Sequence, residues 1–279
     1  MPKAYRPIAL LNTIWKILTA IIASHITFLT EKHELLPTNH FGGRPDRTTM
    51  DTLHMLAHKI KDTWQAGKVV VVLFLNVDRV FPNAVLTKLV HNLRKRRILG
   101  KYVGFVEKML TGRYTMLKYD GHTLQPIKID NRIGQGDLLS MVLYQYYNVD
   151  PLDIPSRKNE DALAYVDDTI LVATAETFTE AHTMLADMMT REGGASEWSR
   201  THNSPLEYTK LVLIDFAHRS SSKARTVLHL SQRQIEPSTS TKYLGIIVDQ
   251  SLRWKVQQAY AVGKGKKWAA QIRRLARPT

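Results

Sequence analysis

The stretch Ala162-Leu-Ala-Tyr-Val-Asp-Asp-Thr-Ile-Leu-Val-Ala173 consists of two short apolar runs with Asp167 and Asp168 between them. Runs this short, with polar residues at the break, read as the strands of a hairpin, Ala162–Val166 and Thr169–Ala173. Two acids at a hairpin tip have an ordinary reading, because Asp is favoured in turns and costs nothing when solvated. The other reading is chemical. Two-metal phosphoryl transfer holds a pair of cations about 4 Å apart on carboxylates from neighbouring strands. Magnesium keeps several of its waters, so two or three carboxylates suffice. That reading needs a further ligand at the tip of another buried strand. Upstream, Val69-Val-Val-Val-Leu-Phe-Leu75 is such a strand by length and composition. Asn76-Val77-Asp78 follows it directly.

Outward from these two strands, helical patterns alternate with apolar runs, in the mixture of an α+β fold. Ile8 to about Thr30 reads as one long helix with a wide buried face. Asn12, Lys16, Ser24 and His25 within it argue against a lipid span. Thr49 to about Trp64 is a second helix, with Leu53, Leu56 and Ile60 on one stripe. Pro82 starts the next, which ends in Arg94-Lys-Arg-Arg97. That cluster suits the negative end of a helix dipole, or serves as a nuclear address. Met116 to Ile133 alternates like a hairpin around Asp120-Gly121. Thr177-Phe-Thr-Glu180 is a capping box, opening a helix with Phe178, Ala181, Leu185 and Met188 on one face. Leu211–Phe216 and Tyr243–Val248 are further strands. Beyond Leu252 the chain turns helical and basic, with no acid from Ser251 onward.

The chain has 279 residues, 44% hydrophobic and 23% charged, ordinary values for a folded domain with a core. Cysteine is absent, which excludes disulfides, thiolate metal sites and a cysteine nucleophile. Lys and Arg number 39 against 25 Asp and Glu, a net charge of +14. A chain this basic points first to a polyanion such as nucleic acid, with ribosome contact, an anionic membrane surface and mere solubility as blander readings. The opening Met1-Pro-Lys-Ala-Tyr-Arg-Pro7 lacks a secretory layout. The expected location is therefore intracellular, cytoplasmic or nuclear, with no membrane partner.

Taken in order, the motifs resemble those of reverse transcriptases, specifically of non-LTR (LINE-like) retrotransposons. Tyr5-Arg-Pro-Ile-Ala-Leu-Leu-Asn12 resembles the first finger motif and Phe41-Gly-Gly-Arg-Pro-Asp-Arg-Thr48 the second. Phe74-Leu-Asn-Val-Asp-Arg-Val-Phe81 is similar to the first palm motif. Gly134-Gln-Gly-Asp-Leu-Leu-Ser140 looks like the fourth motif, Tyr165-Val-Asp-Asp168 the fifth, Lys210 the sixth and Lys242-Tyr-Leu-Gly245 the seventh, the primer grip.

The resemblance implies a right-hand polymerase architecture. Residues 1–245 would hold fingers (about 1–66 and 95–130) and an antiparallel-sheet palm (about 67–94 and 131–245), and 246–279 would open the thumb. It implies Mg2+, with Mn2+ as a substitute, held by Asp167, Asp168, Val77 and position 76. Arg6 would contact the triphosphate, and Gln135 and Gly136 would lie beside the nucleotide. Phe81 would stack under the sugar and favour deoxynucleotides, and Lys210 would protonate the pyrophosphate. Lys242, Tyr243, Leu244 and Gly245 would hold the primer. The partners would be an RNA template, a DNA primer and deoxynucleoside triphosphates.

The serious departure from the pattern is Asn76, which stands where the family has a metal-binding aspartate; Leu138 replaces the family's usual proline, and His40 and Gly43 replace its usual glutamine and aromatic. An amide oxygen can touch magnesium but brings no charge, at an expected loss of about 3–5 kcal/mol of transition-state stabilisation. Asp78, two residues on, is a partial substitute by strand alternation. No endonuclease, RNase H or zinc-knuckle pattern is present, so the chain reads as a piece of a retroelement open reading frame. The expected function is RNA-directed DNA polymerase with impaired chemistry; the alternative is an inactive nucleic-acid-binding module that keeps the same fold.

Overall fold

A computed structural model describes residues 10–77, 83–129, 133–134, 136–218, 227–230 and 233–275. The helices are α1 (Thr13–Lys32), α2 (Thr49–Gln65), α3 (Leu86–Lys95), α4 (Gly100–Leu110), α5 (Leu138–Tyr147), α6 (Phe178–Thr190), α7 (Ala195–Thr201) and α8 (Lys255–Leu275). The strands are β1 (Val69–Leu75), β2 (Arg113–Thr115), β3 (Lys118–Tyr119), β4 (His122–Thr123), β5 (Ile127–Ile129), β6 (Glu160–Tyr165), β7 (Asp168–Ala175), β8 (Val212–Phe216), β9 (Leu228–Leu230), β10 (Arg233–Ile235), β11 (Ser240–Tyr243) and β12 (Ile246–Asp249).

The centre is a four-stranded antiparallel sheet in the order β6-β7-β1-β8. All seven residues of β1 are buried. Alternation sends Val69, Val71, Leu73 and Leu75 to one face, where they join a core that includes buried residues of α3, α4, α5 and α6. Val70, Val72 and Phe74 point to the other face, with Ile170, Val172, Ile214 and Phe216, against Leu53, Leu56 and Ile60 of α2 and Tyr243 and Val248 of the β11–β12 hairpin. With both faces covered, β1 carries no polar alternation, so its sequence is an unbroken apolar run. Leu73 is fully buried in this central strand. We expect Leu73→Ala to lower the unfolding free energy in urea by about 2–5 kcal/mol, the cost of a cavity that two packed layers cannot collapse.

Most elements stand where their patterns predict, and four differ in detail. The buried stripe of α1 is Thr19, Ile22, Ala23, Ile26 and Thr30, narrower than the wide face expected. Ile14, Ile17, Ile21 and Phe28 remain exposed. By length and composition alone α1 could cross a membrane. Its stripe is fixed to α5 by Thr30, which bonds Tyr146 Oη, and by Thr19 Oγ1, which donates to Asp137 Oδ1 at 2.8 Å. Helix α3 begins at Leu86 and ends at Lys95, with Arg96 as its C-cap and Arg97 at φ +62°; Pro82 lies outside the described residues. The apolar run Tyr243–Val248 is not one strand. Leu244 and Gly245 take φ of +47° and +86° and reverse the chain between β11 and β12, because two successive positive φ values make the tight turn a hairpin requires. The expected palm–thumb division at 245/246 thus falls inside this hairpin. The fourth difference lies at the two acids.

Candidate active site

In the β6–β7 ladder Tyr165 pairs with Asp168. The two turn residues are therefore Val166 and Asp167, not Asp167 and Asp168 as the apolar runs alone indicate. Val166 takes φ +57°, which lets so short a loop close but is strained for a β-branched residue. The shift of one residue separates the acids. Asp167 sits at the tip, and Asp168 is the first residue of β7, on the same face as Ile170 and Val172.

Position 76 meets them from the neighbouring strand. The β1–β7 register ends at Leu75 opposite Thr169, and its next step sets Asn76 opposite Asp168. Alternation puts Asn76 on the Phe74 side, the side Asp168 shares. The segment before β8 is stitched to the same tip: Glu207 N donates to Asn76 O at 2.9 Å, and Val77 bridges Leu206. This brings Lys210 to the same end of the sheet, although its Nζ is paired with Glu207 Oε2 at 2.6 Å. The side chain expected to reach a leaving group is thus held by a neighbouring carboxylate.

The β11–β12 hairpin approaches from the Phe74 face. The ring of Tyr243 packs edge-on against Phe74, centroids 5.1 Å apart. Its buried hydroxyl has no hydrogen-bond partner among the described residues. Burial, and then the charge of Asp168, hold that hydroxyl well above its usual range. Lys242 is exposed, with Nζ 5.6 Å from the ring centre of Tyr260 on α8. Gly136, before α5, takes φ +108°, a conformation only glycine adopts without strain. Arg6, Asp78, Phe81 and Gln135 lie outside the described residues.

Burial of its surroundings, with Asp167 beside it, pushes the Asp168 carboxyl up to about 6. The hydroxyl of Tyr144 on α5 is raised by burial and then by Asp167. Two acids whose charges oppose each other in a partly desolvated setting form a donor set that a hard divalent cation relieves. Among the described residues no group of three or more His, Asp or Glu could hold a metal ion. Among the described residues the site therefore offers a cation one carboxylate pair and no third charge. Because the Asp168 proton competes with a cation, affinity falls as pH drops through about 6. Mn2+ binding followed by electron paramagnetic resonance should be clearly weaker at pH 5.0 than at pH 7.5; a flat profile would place binding elsewhere.

Three residues that matter to this geometry carried no role in the sequence reading. Gln145 and Asn148, buried polar residues at and just beyond the end of the apolar helix α5, bond respectively to the segment carrying Gly42 and to the Val166 turn. Their i, i+3 spacing in an otherwise apolar stretch was the available signal. The third is Glu207, which binds both the Asn76 carbonyl and Lys210.

The family described as reverse transcriptase (RNA-dependent DNA polymerase) matches residues 1–248. The chain belongs to the reverse transcriptase family. Among its curated relatives is the probable RNA-directed DNA polymerase from transposon X-element of Drosophila melanogaster, 26% identical over 259 residues, which span 90% of this chain and 27% of that protein. Another is the RNA-directed DNA polymerase from mobile element jockey of the same species, 24% identical over 267 residues, 92% of this chain and 28% of that one. This reverse transcriptase domain is thus of the non-LTR, LINE-like kind, and it spans little more than a quarter of the length of those relatives. Among solved structures, apo telomerase from Candida tropicalis truncated from its C-terminal domain superposes with a TM-score of 0.56 at 10% identity, over 84% of this chain and 44% of that one. Telomerase from the same species in complex with a fragment of telomeric RNA gives 0.57 at 8% identity, over 86% and 37%. These likenesses establish the reverse transcriptase polymerase fold. The family generally uses divalent metal ions.

Proposed function

We propose that this domain extends a DNA primer on an RNA template with deoxynucleoside triphosphates, at a rate limited by Asn76. The observation that supports the reading is the β1–β7 register, which ends at Leu75 opposite Thr169 and so leads Asn76 toward Asp168 and the tip that carries Asp167. In this reading Asp167 and Asp168 would hold Mg2+ or Mn2+, and the Asn76 amide and the Val77 carbonyl would be the neutral donors. The bound cations supply charge neutralisation at the triphosphate and activation of the primer hydroxyl. Tyr243, buried beneath the pair, and Lys242, Leu244 and Gly245 on its hairpin steady the primer end. Gly136 leaves room for backbone to approach the nucleotide, with Gln135, Arg6 and Phe81 completing its pocket. Lys210 exchanges Glu207 for the departing pyrophosphate and donates a proton to it. Residues 1–66 and 95–130 serve as fingers, 67–94 and 131–245 as palm, and 246–279 opens the thumb. The helix α8, in which no residue is buried and which carries Lys264, Lys266, Lys267, Arg273 and Arg274, lies along the duplex backbone.

A second reading, a binding module without turnover, is favoured by one observation: the amide at position 76. Template-primed extension with Mg2+ and with Mn2+, run on the chain and on Asn76→Asp, decides between them. Extension that rises sharply in Asn76→Asp supports a damaged polymerase. Tight template–primer binding with no extension by either protein supports the binder.

A further inference from the structure

The turn that carries Asp167 is held from outside its own hairpin. Val166 is β-branched and sits at φ +57°. The peptide that follows Val166 turns about Val166 ψ and Asp167 φ. That peptide is planar and contains the Val166 carbonyl together with the nitrogen of Asp167. Its rotation would therefore swing the Asp167 carboxylate. The carbonyl is a turn-centre group with no place in the β6–β7 ladder, and a buried carbonyl must find a donor. The donor is Asn148, fully buried just past the end of α5, whose Nδ2 lies 2.6 Å from Val166 O.

The opposite side of the turn is closed by the segment before α2. Phe41 N donates to Ala164 O at 2.8 Å, and Ala164 N donates to Asn39 O at 3.1 Å, so residues 39–41 pair along β6. This brings Gly42 against the turn: a Cβ there would fall 2.3 Å from Val166 N. Gly42 O is itself fixed by Gln145 Nε2 at 2.9 Å. Two buried amides of one helical stretch thus grip the turn, one directly and one through Gly42.

We propose that Asn148 is a positioning residue for the acidic pair: its amide locks the Val166–Asp167 peptide, with Gly42 as the backstop, and so fixes where the Asp167 carboxylate is presented. The proposal rests on the reading of Asp167 and Asp168 as the cation-holding pair. It makes the location of one carboxylate depend on a contact between α5 and the segment leading into α2.

The test compares Asn148→Leu, which keeps bulk and removes the donor, with Gly42→Ala, which presses on the turn and leaves every polar group in place. Thr30→Val is the control; it breaks a different buried hydrogen bond to the α5 region, with Tyr146. Two readouts are taken on the whole chain, below the melting temperature of each variant: amide hydrogen exchange of residues 163–170, and Mn2+ affinity. We expect Asn148→Leu and Gly42→Ala each to raise exchange at the turn and to weaken Mn2+ by tenfold or more, and Thr30→Val to do neither. A folded Asn148→Leu with wild-type exchange and affinity overturns the proposal. If Asn148→Leu does not fold, Gly42→Ala decides by the same two readouts. If the wild type itself binds no Mn2+, the cation-holding reading fails, and turn exchange alone still upholds or overturns the lock.

Discussion

Asn76→Asp raises template-primed DNA synthesis by about 10²–10⁴-fold, the kinetic equivalent of the one formal charge that an amide at position 76 withholds. Charge balance sets the size of the effect. Phosphoryl transfer presents a triphosphate and developing negative charge to its cations, and a polymerase keeps those cations by surrounding them with carboxylates. Here the described residues offer two. Asn76 and Asp have nearly the same shape, and position 76 is half-buried just past the end of a fully buried strand, so the substitution changes charge with little change of packing. Single-nucleotide incorporation at pH 7.5 in Mg2+, with primer–template affinity measured alongside, should show the gain mostly in turnover. A gain of less than a few-fold would mean that position 76 is not part of the chemistry.

In the Asn76→Asp background, Asp168→Asn reduces extension by about 10³-fold or more, while the folded chain becomes more stable at pH 7.5. The two effects have one cause. The folded structure pushes the Asp168 carboxyl up to about 6, through burial first and Asp167 second. A raised carboxyl holds its proton more tightly in the folded than in the unfolded chain. Its contribution therefore favours folding below the ordinary carboxylate range and is lost as pH rises through about 6. At pH 7.5 the charge opposes folding, and an uncharged isostere removes that opposition. A melting temperature higher than that of the parent, measured without divalent ions, together with lost synthesis, is the expected pair of results. A lower melting temperature would show that Asp168 has a structural partner instead.

What the sequence displayed of this architecture follows from where its signals are local. The buried strand Val69–Leu75 and the stripe Leu53, Leu56, Ile60 were legible because burial on one or both sides writes directly into the pattern of apolar residues. The β11–β12 hairpin was not, because Tyr243–Val248 is apolar throughout and only Gly245 interrupts it. The register of the acidic turn escaped for a subtler reason. Two adjacent acids look like a turn, yet the ladder closes one residue earlier by forcing Val166 into a conformation that its side chain disfavours. Tertiary contacts from Asn148 and Gly42 hold that turn. The pairing of Lys210 with Glu207, and of Glu207 with the Asn76 backbone, likewise depends on how β8 is approached, which no periodicity records.

Under the proposed function the tip of β1 and the tip of the β6–β7 hairpin form one cation site. Iron(II) bound in place of magnesium, with peroxide and ascorbate, cuts backbone within a few ångströms of the ion, and mass spectrometry locates the cuts. Two clusters of cuts are expected, around residues 75–77 and 165–169, both lost in the Asp167→Asn, Asp168→Asn double variant. Cuts at the hairpin with none near residue 76, or a pattern unchanged in the double variant, would contradict a shared cation site.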